Sequence, residues 1–257
     1  MSPRISLEAT YVLHQRPYQD SGLLLEVFSP HHGRIGLIAR GVRKPKGRWQ
    51  SLLQPFVPLL LSWSGRGELG TVVDAEISAT AHALKGHMLL SGFYINELMM
   101  RLLHRHDPHP ELFDYYHSLL NQLSLLSDDA EGRQQLQQLL RLFEMQLLQE
   151  IGYGLVLEHD VATGAAIDPA LNYSYRLGEG PLPVIDVICD VLVVRGRSLL
   201  ALAEGRLNDV DVLRDAKRLM RAALEQHLGG RPLQSRQLII DLQRTTEAAA
   251  HAQGLIK

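Results

Sequence analysis

Short runs of residues with strand-like patterns fill the first third of the chain. Apolar positions alternate with polar ones or form brief runs, and clusters of Gly, Pro, Ser and Asp separate them, as expected of β-strands joined by turns. The five predicted strands are Tyr11–His14, Leu23–Phe28, Arg34–Ala39, Val57–Trp63 and Gly70–Ile77. Five strands in so short a segment predict a small barrel.

After about Ala81 the apolar positions recur with the spacing of helices. The predicted helices run over Met88–Leu103, Pro110–Leu126, Leu136–Ile151 and Asp209–Leu228. Asp209 is a favourable N-cap, and Gly229 with Gly230 suits the left-handed backbone that commonly ends a helix. We expect the first three helices to form a bundle.

These patterns predict an α+β protein with two main domains. Residues 1–80 form the N-terminal barrel, for which the five-stranded oligonucleotide-binding (OB) fold and other small barrels both remain open. Residues 81–245 form a helical domain. Within it, residues 153–194 are irregular, with short β-like runs at Asn172–Leu177 and Val184–Val194, and residues 246–257 form a tail.

The charge of the chain is unevenly distributed. The 257 residues contain 26 basic and 28 acidic side chains, a net charge of −2 that by itself argues against a dedicated nucleic-acid binder. The stretch from Val27 to Gly67, however, has no acidic residue and carries +7, which leaves −9 for the rest. Its cations are Arg34, Arg40, Arg43, Lys44, Lys46, Arg48 and Arg66. One basic region therefore stands out from an acidic remainder.

Most of that charge lies in the segment Arg40–Trp49. Its glycines and proline disfavour helix and strand, so a mobile loop is predicted. Flexible cations can follow a phosphate backbone, and Trp49 can stack on an unpaired base. A solvated loop without a partner is the alternative, but a position on a small barrel favours nucleic acid.

A second basic group lies on the last predicted helix. Arg214, Lys217, Arg218 and Arg221 are spaced so that they share one face. Arg231 and Arg236 follow and extend the basic surface. Such a face suits a polyanion, although an ordinary solvated helix face explains the spacing equally well.

Two other motifs have plainer interpretations. Ser64–Gly70 satisfies the dinucleotide-binding pattern GxGxxG, but a strand follows it where a helix is required, so we predict a hairpin turn with Arg66 at its tip. His104, His106 and His109 lack the spacing of a helical zinc site, so we interpret them as part of a polar connection between helices. No metal or cofactor is expected.

Several classes of protein have no support in the sequence. The single cysteine, Cys189, allows no intramolecular disulfide and is interpreted as a small buried apolar residue, which is typical of a reducing compartment. Neither an export signal nor a membrane-spanning run is recognisable. No catalytic motif was found, so an enzyme is not expected.

Several phrases, in this order, resemble one protein family. They are Tyr11–Pro17, Gly33–Arg34, Leu53–Phe56, Ser91–Leu98, Leu140–Glu144, Gly152–Gly154 and Leu228–Arg236. The chain resembles the RecO family of bacterial recombination mediators and DNA repair proteins. The resemblance implies an OB-fold barrel and a cytoplasmic, non-enzymatic protein that binds single- and double-stranded DNA and anneals complementary strands. It also implies that, with RecR, the protein helps RecA to replace single-strand-binding protein.

The resemblance also suggests binding residues. The basic barrel and a basic C-terminal region contact DNA in the family, which matches the cations of the Arg40–Trp49 loop, Arg34 and the last helix. The acidic tail of single-strand-binding protein docks on the helical domain of relatives, and Arg141 beside Phe143 is the candidate site here. The stretch Tyr153–Leu177 lacks the four cysteines that bind zinc in many members, so this chain resembles the zinc-free branch.

A second hypothesis remains open from the sequence. The protein acts in it as an adaptor that docks on single-strand-binding protein and RecR, while those partners hold most of the DNA. Titration with an oligonucleotide and, separately, with an acidic tail peptide distinguishes the two hypotheses, because an adaptor binds only the peptide.

Overall fold

The computed structural model describes residues 4–43, 49–65, 67–184 and 192–237. The first elements are strands β1 (Arg4–Tyr18), β2 (Gly22–Ser29), β3 (Gly33–Ala39), β4 (Leu59–Ser64) and β5 (Leu69–Ile77). Helices α1 (Gly86–Leu102), α2 (Pro110–Leu125) and α3 (Ala130–Glu150) follow. Strands β6 (Asn172–Arg176), β7 (Gly180–Pro183) and β8 (Val193–Arg195) and helices α4 (Gly196–Ala203) and α5 (Val210–His227) complete the described chain.

The first five strands form a closed barrel in the order β1-β2-β3-β5-β4, with β4 paired back to β1. Strands β3 and β5 are parallel, whereas the other neighbours are antiparallel. Inward-facing side chains such as Val12, Leu25 and Leu61 are fully buried in the barrel core. The predicted α+β class and the OB-fold barrel are confirmed.

The turn between β4 and β5 explains the GxGxxG match. The two strands are antiparallel neighbours, and Ser64 pairs with Thr71 across the turn. Gly65 and Gly67 have φ values of 150° and 84°, which side-chain-bearing residues rarely adopt. The predicted hairpin is therefore confirmed, while Arg66 at its tip lies outside the described residues.

Two aromatic residues of the barrel pack against α2 rather than inside the barrel core. Tyr11 lies edge-on to Tyr116 with ring centroids 5.2 Å apart, and Phe28 contacts Phe113 at 5.6 Å. Tyr11 and Phe28 are 1% and 0% exposed. The buried Asn96 of α1 also donates to the backbone oxygen of Leu13 at 3.0 Å. The barrel and the first two helices thus share one apolar interior.

The chain divides into two compact units that do not coincide with its predicted domains. One unit contains residues 1–128 and 231–257, and the other is Asp129–Gly230. The expected three-helix bundle is wrong, because α1 and α2 belong to the barrel's unit and α3 belongs to the other. The domain boundary at residue 80 stays a prediction.

The second unit combines helices with a small sheet. Strands β7, β6 and β8 form a three-stranded antiparallel sheet within the segment predicted to be irregular. Much of the predicted run Val184–Val194, including Cys189, lies outside the described residues. Asp209 caps α5 by accepting from the backbone nitrogens of Asp211 and Val212, as its position predicted. Helix α4 was not predicted.

None of the helices in the described residues is long and apolar enough to cross a bilayer.

Candidate nucleic-acid interface

The basic loop after β3 is only partly described. Arg40 is exposed at its start. Arg43 is also exposed, but its guanidinium donates to the backbone oxygens of Gln19 and Gly22, at 2.6 and 3.1 Å. Arg43 therefore ties the loop to the β1–β2 turn. Lys44, Lys46 and Arg48 lie outside the described residues.

Trp49 is held against the barrel by its packing. It is half-buried and packs against the barrel core. Its backbone oxygen accepts from the nitrogens of Leu52 and Leu53 at 3.1 and 3.0 Å, so a tight turn begins there. The half-exposed indole is held by this packing, and a stacking role for Trp49 stays a prediction.

Arg34 is used inside the protein. Its guanidinium donates to the backbone oxygen of Met100 at 2.8 Å and lies 3.7 Å from Glu26, with only 16% of the side chain exposed. Burial lowers the pKa of Arg34, against the opposing effect of Glu26, and the nearby charge of Arg105 lowers it further. With its guanidinium engaged in this way, a contact between Arg34 and DNA stays a prediction.

The sequence analysis missed an exposed cation of the barrel, Arg16 on β1. Arg16 pairs with Leu24, and Leu24 pairs with Ile38 on β3, two residues before Arg40. The register therefore places Arg16, Arg40 and Arg43 at the same end of the barrel. No period or motif in the sequence pointed to Arg16.

The basic face of α5 is exposed, as predicted, but its charges are partly neutralised. Arg214 pairs with Asp211 at 2.9 Å, Arg218 lies 3.9 Å from Asp215, and Arg221 pairs with Glu225 at 2.8 Å. Lys217 is exposed on the same face. Exposed ion pairs of this kind are weak and open to competition from phosphate.

Two further arginines join this surface from outside the helix. Arg195 reaches Asp215 at 2.6 Å and Arg197 reaches Asp211 at 3.5 Å, so they approach the same two aspartates as the arginines of α5. Hydrogen bonding by Asp215 raises the pKa of Arg195 and keeps it charged. Within the described part of this unit, cations therefore outnumber acids around α5. The sequence pattern indicated neither arginine, because Arg195 precedes and Arg197 lies within a helix that was not predicted.

Arg231 and Arg236 belong to a segment held against α1. Arg101 donates to the backbone oxygens of Arg231 and Pro232, both at 2.8 Å. The carboxylate of Glu97 accepts from the backbone nitrogens of Gln234 and Ser235 at 2.9 and 2.8 Å. The side chain of Arg231 is exposed and that of Arg236 is half-buried. These two arginines lie in the barrel's unit, and α5 lies in the other.

The candidate site for the acidic tail is buried. Arg141 is 5% exposed and donates to Glu144 at 2.5 Å, and Phe143 is fully buried. A guanidinium already paired with a buried carboxylate is not available to a second one at the surface. This placement argues against Arg141 and Phe143 as the docking site, because the apolar stripe and the arginine both face inward.

The histidine-rich connection between α1 and α2 lies along β3. The backbone nitrogen of His106 donates to the backbone oxygen of Arg34 at 3.0 Å. The backbones of Arg105 and Arg34 form an isolated parallel β-bridge. A side chain at Gly33 would collide with the backbone of Asp107, which explains the glycine there. His109 is buried and faces Asp107 at 3.4 Å. The segment is a packed connection between helices, as predicted.

Comparison with known proteins covers nearly the whole chain. Residues 1–81 match the family described as Recombination protein O N terminal, and residues 84–237 match Recombination protein O C terminal. A DNA repair protein RecO from Nitrosococcus oceani is 46% identical over 242 residues, which covers 94% of this chain and 95% of the relative. One from Alkalilimnicola ehrlichii is 47% identical over 251 residues, covering 97% and 96%. The chain belongs to the RecO family.

Proposed function

We propose that the protein is a non-enzymatic mediator of DNA repair and homologous recombination. In this proposal it binds single- and double-stranded DNA in the bacterial cytoplasm, anneals complementary strands and, with RecR, promotes loading of RecA on DNA covered by single-strand-binding protein. The observation that carries the proposal is the OB-type barrel at the start of a chain that matches the RecO family over both of its parts. The names of the relatives support a role in DNA repair.

The distribution of charge supports a mechanism for annealing. Two DNA strands repel each other, and cations that neutralise both phosphate backbones reduce this repulsion while the bases search for complementarity. Exposed Arg16 and Arg40 on the barrel provide one group of cations, and the α5 surface provides another in the second unit. The acidic remainder of the chain disfavours binding of DNA elsewhere.

The salt dependence of DNA affinity tests the electrostatic part of the proposal. The logarithm of the binding constant for a single strand should fall linearly with the logarithm of salt concentration, with a slope of ~0.7 per phosphate neutralised. Fluorescence anisotropy of a labelled oligonucleotide measures this slope. An affinity independent of salt would contradict binding through phosphate.

Annealing of complementary strands coated with single-strand-binding protein tests the whole proposal. The protein should accelerate annealing, and removal of the acidic tail from single-strand-binding protein should reduce this acceleration if the tail recruits the mediator. If the protein binds DNA normally but does not accelerate annealing, the annealing mechanism is contradicted.

The adaptor hypothesis is the alternative: some predicted DNA contacts are engaged within the protein, and the predicted tail site at Arg141 and Phe143 is buried as well. Arg34, Arg43 and Trp49, three of the predicted DNA contacts, use their side chains inside the barrel's unit. An adaptor should bind an acidic tail peptide but no oligonucleotide at physiological salt. Parallel titrations of the full chain with the peptide and with the oligonucleotide distinguish the two hypotheses. Tight binding of the oligonucleotide excludes the adaptor hypothesis.

A further inference from the structure

One end of the barrel opens into a cavity, here called the mouth cavity. Its wall contains Ile5 near the start of β1, Ile35 and Leu37 on β3, Trp63 near the end of β4 and Gly70 on β5. Strands β1 and β4 are antiparallel, and β3 and β5 are parallel, so the start of β1, the end of β4 and the first parts of β3 and β5 meet at one end of the barrel. The cavity volume is about 490 Å³, within the ~300–1,000 Å³ typical of small-ligand pockets. The mouths of β-barrels commonly hold such ligands.

The main aromatic surface of the mouth cavity is Trp63. Trp63 pairs with Ile5 across the β1–β4 ladder and is 7% exposed, so packing fixes its indole in place. The imidazole of His32 stands edge-on to the indole, with ring centroids 5.3 Å apart and an interplanar angle of 84°. A rigid aromatic ring at the edge of a pocket is suited to stacking.

Gly70 leaves the space beside the indole of Trp63 free of a side chain. A Cβ atom at this position would lie 2.8 Å from a methyl carbon of Leu37 and 3.2 Å from Cδ1 of Trp63. Any side chain there would therefore crowd the aromatic wall. Gly65 and Gly67, in the β4–β5 turn, also line the cavity and leave backbone open to a ligand.

Two imidazoles supply polar groups at the mouth cavity. His32 comes from the β2–β3 turn and His106 from the α1–α2 connection. His106 has a φ of 60°, unusual for a residue with a side chain, and is held by its backbone bond to Arg34. A strained backbone of this kind persists where the surroundings fix it, and it is enriched at binding sites. A neutral imidazole offers both a donor and an acceptor.

We propose that the mouth cavity binds one unpaired nucleobase. The base stacks against Trp63, and its polar edge meets His32 and His106. Arg4, exposed beside Ile5 and paired with Ser64 on β4, lies near enough along the ladder to meet the attached phosphate. This inference rests on the proposed function, because DNA presents the base. An aliphatic ligand would leave both imidazoles without partners, whereas a heterocycle matches stacking surface and polar edge together.

The mouth cavity and the basic loop lie at opposite ends of the barrel. Strand β3 begins beside the cavity and ends just before Arg40. The cavity wall includes Ile35 and Leu37, so Arg40 lies three to five residues beyond it, about 10–17 Å at ~3.3 Å per residue. A single strand that reaches both ends therefore crosses the barrel with several nucleotides, in keeping with the ~4–16 nucleotides that OB folds cover. The loop holds phosphates, and the cavity selects an unpaired base.

Comparison of an intact with an abasic oligonucleotide tests the proposal. Both have the same length and phosphate charge, so binding through phosphate alone gives equal affinities by anisotropy. We expect the full chain to bind the intact oligonucleotide at least about fivefold more tightly, the lower limit for stacking of one base. In a Trp49→Phe variant, which leaves Trp63 as the sole tryptophan, only the intact oligonucleotide should quench the fluorescence.

A pair of neighbouring histidines provides the matched control. His32→Ala should abolish most of the preference for intact over abasic DNA. His31→Ala should retain it, because His31 is 74% exposed, bonds to Glu8 and does not line the cavity. Thermal unfolding checks that both variants are folded. An equal loss of preference in both variants, or in neither, overturns the role of the cavity.

The remaining outcomes separate this inference from the proposed function. Equal affinity for intact and abasic DNA overturns the base site and leaves DNA binding in place. No binding of either oligonucleotide overturns both. Quenching of Trp63 by N-acetylphenylalanine amide, without quenching by the oligonucleotide, assigns the cavity to an aromatic side chain of a protein and overturns the nucleobase proposal.

Discussion

At the scale of single residues, two arginines of the basic loop have different roles. Arg40 and Arg43 are three positions apart and both exposed, yet only the guanidinium of Arg43 is bonded to backbone oxygens of the β1–β2 turn. Within the described residues no hydrogen bond or ion pair engages the Arg40 side chain. Arg43 is a structural residue, and Arg40 remains available to phosphate.

This difference gives a paired prediction. Arg43→Ala should lower the free energy of unfolding by ~1 kcal/mol or somewhat more, because two hydrogen bonds to backbone are lost at a partly solvated site. Arg40→Ala should leave stability unchanged and reduce the salt slope of DNA binding by ~0.7. Urea denaturation and anisotropy measure the two effects. Equal stability of the variants would contradict a structural role for Arg43.

Another residue-scale feature is a buried hydroxyl shared by two imidazoles. The hydroxyl of Tyr11 lies 3.0 Å from Nε2 of His82 and 2.6 Å from Nδ1 of His117. Burial lowers the pKa of His82, and the proximity of His117 lowers it further. The folded protein therefore disfavours a charge on His82 that the unfolded chain accepts.

The sign of the pH effect follows from this pKa. Since the unfolded chain binds the proton more readily, stability contributed by neutral His82 is present above a pH of about 6.5 and is lost as the pH falls below it. His82→Gln should flatten this part of the stability profile in urea denaturation at a series of pH values. An unaltered slope in His82→Gln would refute the assignment.

At the scale of elements, the sequence pattern predicted the type and order of most helices and strands. It did not predict the contacts between them. Periods of two and 3.6 locate β1–β5, α1–α3 and α5, and Asp209 marks the start of α5 because a cap is a local interaction. Helix α4 was not predicted, because a helix of eight residues is too short to show a clear hydrophobic period. Sequence could not show that Trp49 faces the barrel core or that Arg141 and Glu144, neighbours on α3, are buried, since both depend on tertiary packing.

The α5 surface offers a test through its acidic partners. Glu225→Gln removes the carboxylate that holds Arg221 at 2.8 Å. If this face binds phosphate, DNA affinity should rise by up to about fivefold at low salt, in line with ~1 kcal/mol for two charges 4 Å apart in water. Glu179→Gln, at an exposed acid paired with Arg176 in the same unit, is the matched control. A rise in both variants would indicate a general effect of charge.

At the scale of the whole molecule, the barrel depends on chain that lies outside residues 1–80. Tyr11 and Phe28 are buried against α2, and Glu97 on α1 holds Gln234 and Ser235. Burial raises the pKa of the Glu97 carboxyl, but the bonds from Ser235 and Gln234 and the charge of Arg101 outweigh this effect, so the pKa lies below its usual value.

Fragments of the chain test this dependence. A fragment of residues 1–80 would expose Tyr11 and Phe28, each worth ~1.5–3 kcal/mol of burial, and should unfold at a much lower temperature than the barrel does in the full chain. A fragment of residues 1–128 keeps α1 and α2 and should be more stable than the shorter one. Differential scanning calorimetry compares them. Equal stability of the two fragments would support the predicted boundary at residue 80.

The return of residues 231–237 to α1 has a consequence for synthesis on the ribosome. Glu97 bonds to residues 137 and 138 positions later in the chain. At ~5–20 residues per second, those partners emerge roughly 7 to 30 seconds after Glu97 itself. Synthesis of the barrel's unit therefore starts first but is completed last, after the other unit, Asp129–Gly230, has been made. During that interval the first unit lacks its final segment, and Glu97 and Arg101 on α1 lack these partners.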